Sequence, residues 1–158
     1  MAQTFITPQQ VTEIAFSDGE WIDHRVITDA DIEATIERWI VPVMGRPLLE
    51  AIEQGSHGEL LTEYLRPVIA LYTRLLVQPR LNVQTSQLGL TVPSDTKHRA
   101  ADERARAELR HALRERADSM RRRLWEYLEQ HSLTIAEYRR EDNILNRCSC
   151  DGGFVQIF

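Results

Sequence analysis

One long helical pattern limits the folds that this chain can adopt. It runs from Thr96 to about Gln130, and Ser94 or Asp95 can cap its start. At about 1.5 Å per residue, such a helix reaches roughly 50 Å, which is more than a compact domain of this size needs. We therefore predict a mainly α fold, a small helical bundle with one long C-terminal helix.

The apolar residues of this helix are unevenly distributed. Its first part holds only small alanines, whereas larger apolar side chains follow from Leu109 to Leu128. Only the later half can therefore pack into a core. We expect the first half to be partly solvated or covered by a partner.

Charge is divided along the chain. Residues 1–65 hold twelve acidic and three basic side chains, whereas residues 96–123 hold ten basic and five acidic ones. The formal net charge of −5 conceals this division. A chain of this kind can neutralise itself internally, or head to tail between copies.

Arginine supplies almost all of the positive charge, since only one of the 19 basic residues is lysine. The planar guanidinium favours bidentate pairing with carboxylates or phosphates, so this helix can contact an acidic protein surface or a DNA backbone. Interleaved acids also allow pairs such as Asp102 with Arg106, so a solvated, self-paired face is the alternative. The arginines expected at an interface are Arg104, Arg110, Arg114, Arg121, Arg122 and Arg123.

Two capping signals predict short helices near the N-terminus. Residues 7–10 (TPQQ) place a capping threonine before a proline and a glutamine at the third helical position, so a helix should run from Pro8 to the turn cluster at 17–19. Thr28 repeats the cap, and the carboxylates of Asp29, Asp31 and Glu33 suit the positive end of the helix dipole. This placement explains the three acids without a catalytic role.

The apolar periodicity of the second helix continues to Val43, with a break or kink expected at Pro42 and at residues 45–47 (GRP). A further short helix should end at Gly55. A longer apolar helix is then predicted from Gly58 to Arg80, with a kink at Pro67.

Two segments do not fit a helix. Residues 81–93 suit a β-hairpin or an extended insert, and the last eight residues join a diglycine to an apolar, strand-like tail. That tail either packs on its own domain as an edge strand or docks on another subunit. The interface residues expected in these segments are Leu88, Leu90, Phe154, Val155, Ile157 and Phe158. We therefore divide the chain into a helical domain, 1–132, and a C-terminal extension, 133–158.

No catalytic signature is present in the sequence. It contains no G-x-S-x-G, H-E-x-x-H, phosphate-binding loop or G-x-G-x-x-G. Cys148 and Cys150 supply two of the four donors that zinc needs, but no histidine stands at a zinc-motif spacing from them. We predict no enzyme and no catalytic, cofactor-binding or metal-binding residue. No apolar run approaches the ~18 residues that span a bilayer, so no membrane contact is expected.

The order of these elements resembles that of the head-tail connector, or adaptor, proteins of tailed bacteriophages. The likeness covers residues 5 to 130, from the capped helix at Pro8 through the break at Pro42 to the long charged helix. It rests on helix order, because that family has no invariant catalytic motif. The resemblance implies a structural protein of the virion neck, made in the host cytoplasm.

The resemblance also implies the partners. Family members form a twelve-fold ring beneath the portal, extend the DNA channel and offer a docking surface to the tail or stopper. Partners would then be other copies of the chain, the portal protein and a tail-side stopper or tail completion protein, with DNA passing through without sequence-specific binding. Residues 81–93 and 151–158 would make docking contacts.

An alternative function is a small helical nucleic-acid-binding or regulatory protein that uses the arginine-rich helix. Its phosphate binding would weaken steeply with salt and with removal of residues 121–123. The acidic remainder of the chain disfavours DNA as the primary partner, because it would repel phosphate. An enzyme that uses Cys148 or Cys150 is a third hypothesis.

Overall fold

Helices make up most of the chain in the computed structural model, which describes residues 5–16, 20, 22–81, 84–86, 89–91, 102–151 and 154–157. The α-helices are α1 (Pro8–Ala15), α2 (Asp29–Thr35), α3 (Val41–Met44), α4 (Arg46–Glu53), α5 (Arg66–Leu81) and α6 (Glu103–Gln130). Two π-helical segments, Ile36–Ile40 and Leu60–Leu65, precede α3 and α5, and 3-10 turns lie at His24–Val26 and Ile144–Asn146. The predicted mainly helical class is confirmed.

Two antiparallel strand pairs are described by their backbone. β1 (Gln84–Ser86) pairs with β2 (Gly89–Thr91), and β3 (Cys148–Asp151) pairs with β4 (Phe154–Ile157). The first pair lies within the predicted insert at 81–93. Leu81 belongs to α5, and the other insert residues outside the two strands lie outside the described ones. The structure therefore does not establish a β-hairpin insert as part of the fold. The predicted tail forms β4.

The N-terminal caps are those that the sequence predicts. The Thr7 hydroxyl accepts a hydrogen bond from Gln10 N at 3.3 Å, and the Gln10 side chain accepts one from Thr7 N at 3.0 Å. Thr28 and Asp31 form the same reciprocal pair at the start of α2. These boxes satisfy backbone N–H groups that have no partner within the helix.

A π-helical segment precedes each of the two prolines that were expected to break or kink a helix. Val41 N donates to Ile36 O, and Arg66 N donates to Leu61 O, so each bond spans five residues instead of four. A proline follows next in both places, and it has no N–H and crowds the carbonyl four residues earlier. The wider turn accommodates the ring, so the helical course continues through Pro42 and Pro67.

The chain breaks at Gly45, between α3 and α4, within the segment 45–47 where a break was predicted. Its φ of 78° and ψ of 158° lie in a region that is open almost only to glycine. The helix restarts at Arg46, with Pro47 in its first turn, where the missing N–H costs nothing.

The core surrounds α5. α1, α2 and α6 pack against it, and its side chains are buried from Val68 to Arg74. The contributions of α6 to the burial are Leu113, Ala117, Leu124 and Leu128. The prediction that only the later part of this helix reaches the core is therefore confirmed.

The predicted start of the long helix is wrong. α6 begins at Glu103 and has 28 residues, about 42 Å, because Asp102 is extended and caps the helix by accepting a hydrogen bond from Ala105 N at 2.8 Å. The candidate caps at 94 and 95 lie outside the described residues. The predicted pair of Asp102 with Arg106 is likewise replaced by this cap.

The chain after α6 returns to the same core. Ile135 and Tyr138 are 4% and 5% exposed, and both belong to the cluster around α5. The domain boundary at 132/133 stays a prediction.

Candidate interaction surface

The first turns of α6 form an exposed segment, defined here as residues 103–112. Every residue in it except Arg106 is exposed, and Leu109 keeps 38% of its surface in water. The segment lies before Leu113, the first residue of α6 that is buried. This part of α6 therefore gains little from packing on its own core, although it continues directly from the part that Leu113 anchors.

Ion pairs neutralise only part of the charge on this segment. Arg104 Nε lies 2.9 Å from Glu108 Oε1, but the two side chains are 88% and 67% exposed, so the pair contributes little stability. Within the described residues, Arg106, Arg110 and Arg116 have no ion pair. The self-paired reading of the arginine-rich helix therefore covers only some of its arginines.

Asp118 forms ion pairs with two arginines of the same helix, Arg114 and Arg121. Arg114 Nε and Arg121 Nη2 lie 3.8 Å and 3.3 Å from its carboxylate, which also accepts a hydrogen bond from the Tyr72 hydroxyl. Burial, together with this bond, raises the pKa of Tyr72 above its ordinary value of 10, so the hydroxyl remains a donor at neutral pH. This junction fastens α6 to α5.

The three arginines at 121–123 differ in their contacts. The Arg121 guanidinium lies 5.7 Å from the ring centre of Tyr72, and that of Arg123 lies 5.8 Å from Tyr64. Arg122 alone of the three is directed to solvent without a ring or carboxylate partner in the described chain. Two of these three arginines thus have structural contacts.

The same run borders an open cleft of about 780 Å³. Carboxylates balance the guanidinium groups there, and the Trp125 indole N–H donates to Asn146 Oδ1 at 2.7 Å. The lining residues are Glu115, Asp118, Ser119, Arg121, Arg122, Arg123, Trp125, Glu126 and Leu145. A cleft with three carboxylates is a poor site for phosphate, which prefers clustered basic groups.

A second surface, which we call the acid-rimmed groove, lies on α2, α4 and the π-helical segment between α2 and α3. Its apolar walls are Phe5, Ile36, Val41 and Leu49, and it encloses about 250 Å³. Four carboxylates and one guanidinium border it: Glu33, Glu37, Glu50, Glu53 and Arg46. The acidic composition of residues 1–65 signalled this charge, but not its convergence from two helices on one groove.

Glu129 fastens the irregular segment after α6 to the end of that helix. Its carboxylate accepts hydrogen bonds from Tyr138 Oη at 2.8 Å and Asn146 Nδ2 at 2.6 Å, and it lies 2.5 Å from Arg140 Nη2. Burial raises its pKa, but the donors and the Arg140 charge outweigh burial and hold the pKa below 4.5. Burial also raises the pKa of Tyr138 to about 12.

The remaining predicted interface residues lie in the strands. Leu90 is in β2, and Phe154, Val155 and Ile157 are in β4, where only the backbone is described, while Leu88 and Phe158 lie outside the described residues. β4 pairs with β3 of its own chain. Docking of the tail on another subunit stays a prediction.

Neither a metal centre nor a membrane span emerges from the described residues. Among them, no three histidine, cysteine, aspartate or glutamate side chains converge as metal ligands would. No helix in this part of the chain is long and apolar enough to cross a bilayer.

Comparison with known proteins places the chain in a family. No curated protein and no solved structure matches it significantly. Residues 30–147, which extend from the start of α2 to the last residue before β3, match the model of DUF6712, described as a family of unknown function. The match covers well over half of the chain, and the protein therefore belongs to the DUF6712 family.

Proposed function

We propose that this protein is a structural adaptor of a phage neck. In this role it forms a ring between the portal and the tail or stopper and extends the DNA channel within the virion. The observation that carries the proposal is the exposed segment of α6, a helical extension with arginines and Leu109 in solvent. A protein partner that covers this segment would bury Leu109 and could pair with the guanidinium groups that have no ion pair in the described chain.

Charge supports assembly from identical copies. Ring formation uses head-to-tail contacts, in which one face of a subunit meets a different face of the next. This chain has two such faces, because the acid-rimmed groove carries excess negative charge and the exposed segment carries excess positive charge. Electrostatic complementarity of this kind guides association and fixes register.

The test is assembly with the portal protein of the same phage genome. The two purified proteins are mixed at low and at moderate salt. The molecular mass of the products is measured by analytical ultracentrifugation, and the products are imaged by electron microscopy. We expect a ring of this chain on the portal. A chain that stays monomeric in the mixture at both salt concentrations would contradict the proposal.

A matched pair of variants shows whether the arginine-rich helix matters. Arg104→Glu with Arg110→Glu reverses two exposed charges of the segment, whereas Arg25→Glu with Arg139→Glu makes the same change elsewhere on the surface. We expect the first pair to lose portal assembly and the second pair to retain it. Equal portal assembly by the two pairs of variants would show that the arginine-rich helix is not part of the interface.

The alternative function, a nucleic-acid-binding or regulatory protein, rests on the arginines that lack ion pairs in the described chain, such as Arg110 and Arg116. Binding to duplex DNA would then fall steeply with salt. The carboxylates in the cleft beside residues 121–123 weigh against it. Tight, salt-sensitive binding to DNA, without binding to the portal protein, would favour this function over the adaptor.

A further inference from the structure

The acid-rimmed groove has the form of a receptor for an apolar side chain flanked by positive charge. Its walls are apolar, and its volume of about 250 Å³ exceeds the ~150 Å³ that holds a benzene ring in an engineered apolar cavity. Arg46 Nη2 pairs with Glu37 Oε2 at 2.8 Å, which leaves Glu33, Glu50 and Glu53 at the rim without an ion pair in the described chain.

The exposed segment of α6 carries the complementary features. Leu109 is 38% exposed, and Ala105 and Ala112 lie on the same helix face, four residues before it and three after it. Arg106 and Arg110 both lie on one side of that face, and Glu108, which pairs with Arg104, lies on the other side. The segment therefore presents one large apolar side chain between small residues, with two guanidinium groups, unpaired within the described chain, along one side.

These two surfaces do not meet within one chain. Both are fully described, yet no ion pair or hydrogen bond joins an arginine of the segment to a carboxylate of the rim. α6 also continues without interruption into Leu113 and Ala117, which are buried in its own core, so the segment cannot swing independently. Another copy of the chain is the partner that this arrangement fits.

We infer that the acid-rimmed groove of one copy receives the exposed segment of α6 from a second copy, with Leu109 in the groove and Arg106 and Arg110 opposite the free rim carboxylates. The contact is heterologous, so repetition closes a ring or extends a filament. The inference rests on the proposed ring, and it assigns the two faces that join neighbouring subunits.

Reciprocal charge reversal tests this contact. Glu33→Arg with Glu50→Arg makes the rim basic, and Arg106→Glu with Arg110→Glu makes the segment acidic. Each double variant alone should self-associate at least about a hundredfold more weakly than the unaltered chain, because like charges then face each other. A mixture of the two should regain assembly, measured by sedimentation velocity.

Two leucine variants separate the apolar contact from general exposure. Leu109→Glu should prevent assembly, whereas Leu133→Glu should not, although Leu133 is 100% exposed on the turn after α6. Circular dichroism checks that both variants stay folded. Assembly by Leu109→Glu, or loss of assembly by both variants alike, would overturn the inference.

The outcome is distinguishable from failure of the proposed function. If the charge variants assemble on the portal as the unaltered chain does, the adaptor role stands and the groove contact is refuted. An unaltered chain that stays monomeric up to millimolar concentration also refutes the contact, whether or not single copies bind the portal. If the mixture alone regains assembly but no portal complex forms, the contact stands and the adaptor role fails.

Discussion

Replacement of Arg74 by methionine tests how the N-terminal helix is held on the core. Arg74 lies in α5 and is 4% exposed. Its guanidinium donates to Ala15 O at 2.6 Å, pairs with both carboxylate oxygens of Glu20 at 2.5 and 2.9 Å, and lies 4.4 Å from the ring centre of Phe16. One side chain thus ties the end of α1 and the following segment to α5.

The cost of Arg74→Met follows from these contacts. Methionine retains the apolar stem, so the loss is confined to the guanidinium. The bond to the Ala15 carbonyl contributes about 1.5–3 kcal/mol, and the contact with Phe16 adds about 1 kcal/mol. The Glu20 side chain is 39% exposed and regains water, so its share is only about 0.5 kcal/mol. We expect a loss of about 3–4.5 kcal/mol in the free energy of unfolding.

Urea denaturation followed by circular dichroism at pH 7 measures this loss. In a chain of 158 residues, each kcal/mol lowers the melting temperature by roughly 2–4 °C, so a fall of about 6–18 °C should accompany it. Arg46→Met is the matched control, because its pair with Glu37 is 65% and 55% exposed and should contribute under about 1 kcal/mol. Equal losses in the two variants would refute the argument.

Two further predictions concern the other fastening points. Glu129→Gln should destabilise the chain by about 1–2 kcal/mol at pH 7. Because the folded-state pKa of Glu129 is held below 4.5, this difference from the unaltered chain should shrink as the pH falls through that range, in urea titrations from pH 7 downward. A difference that does not change with pH would contradict the assignment. Gly45→Ala should lower the free energy of unfolding by about 1–3 kcal/mol, since alanine does not tolerate the backbone angles there. Gly58→Ala, at a position with open space and no positive φ, is its control and should change stability little.

Local chemistry made part of the fold predictable. Caps are local, so the box of Thr7 with Gln10 and the cap at Thr28 could be identified from the sequence alone, whereas Asp31 was expected only to favour the helix dipole and also completes a box with Thr28. The gradient of apolar size along α6 likewise indicated which part of it would be buried. The start of α6 was misplaced because Ser94, Asp95 and Asp102 are all residues that can cap a helix, and the pattern did not distinguish among them.

The π-helical segments could not be found by helical periodicity. The apolar pattern from Gly58 to Arg80, which included Leu60, Tyr64 and Leu65, predicted one apolar helix. Within the second π-helical segment, Leu60 and Leu65 are buried although they lie five residues apart, and Tyr64 is only half-buried. A search for one fixed period cannot register a change of phase within a helix.

The candidate surfaces depend on contacts that are distant in sequence. Tyr72 contacts Asp118 across 46 positions, so no local pattern could distinguish Arg121 from its exposed neighbour Arg122. The groove similarly needs Glu33 and Glu50, which lie on separate helices. Counting charged residues established the sign of the net charge of each region. Only the fold shows which charged side chains lie close together.

The two wide turns have a consequence for comparing members of this family. Each turn holds one residue more than an α-helical course of the same length requires. A relative that lacks one residue between 36 and 40, or between 60 and 65, keeps the same orientation of α3 or α5 through an ordinary turn. Single-residue gaps in an alignment should therefore gather immediately before Pro42 and Pro67, and sequences with such a gap need no proline there.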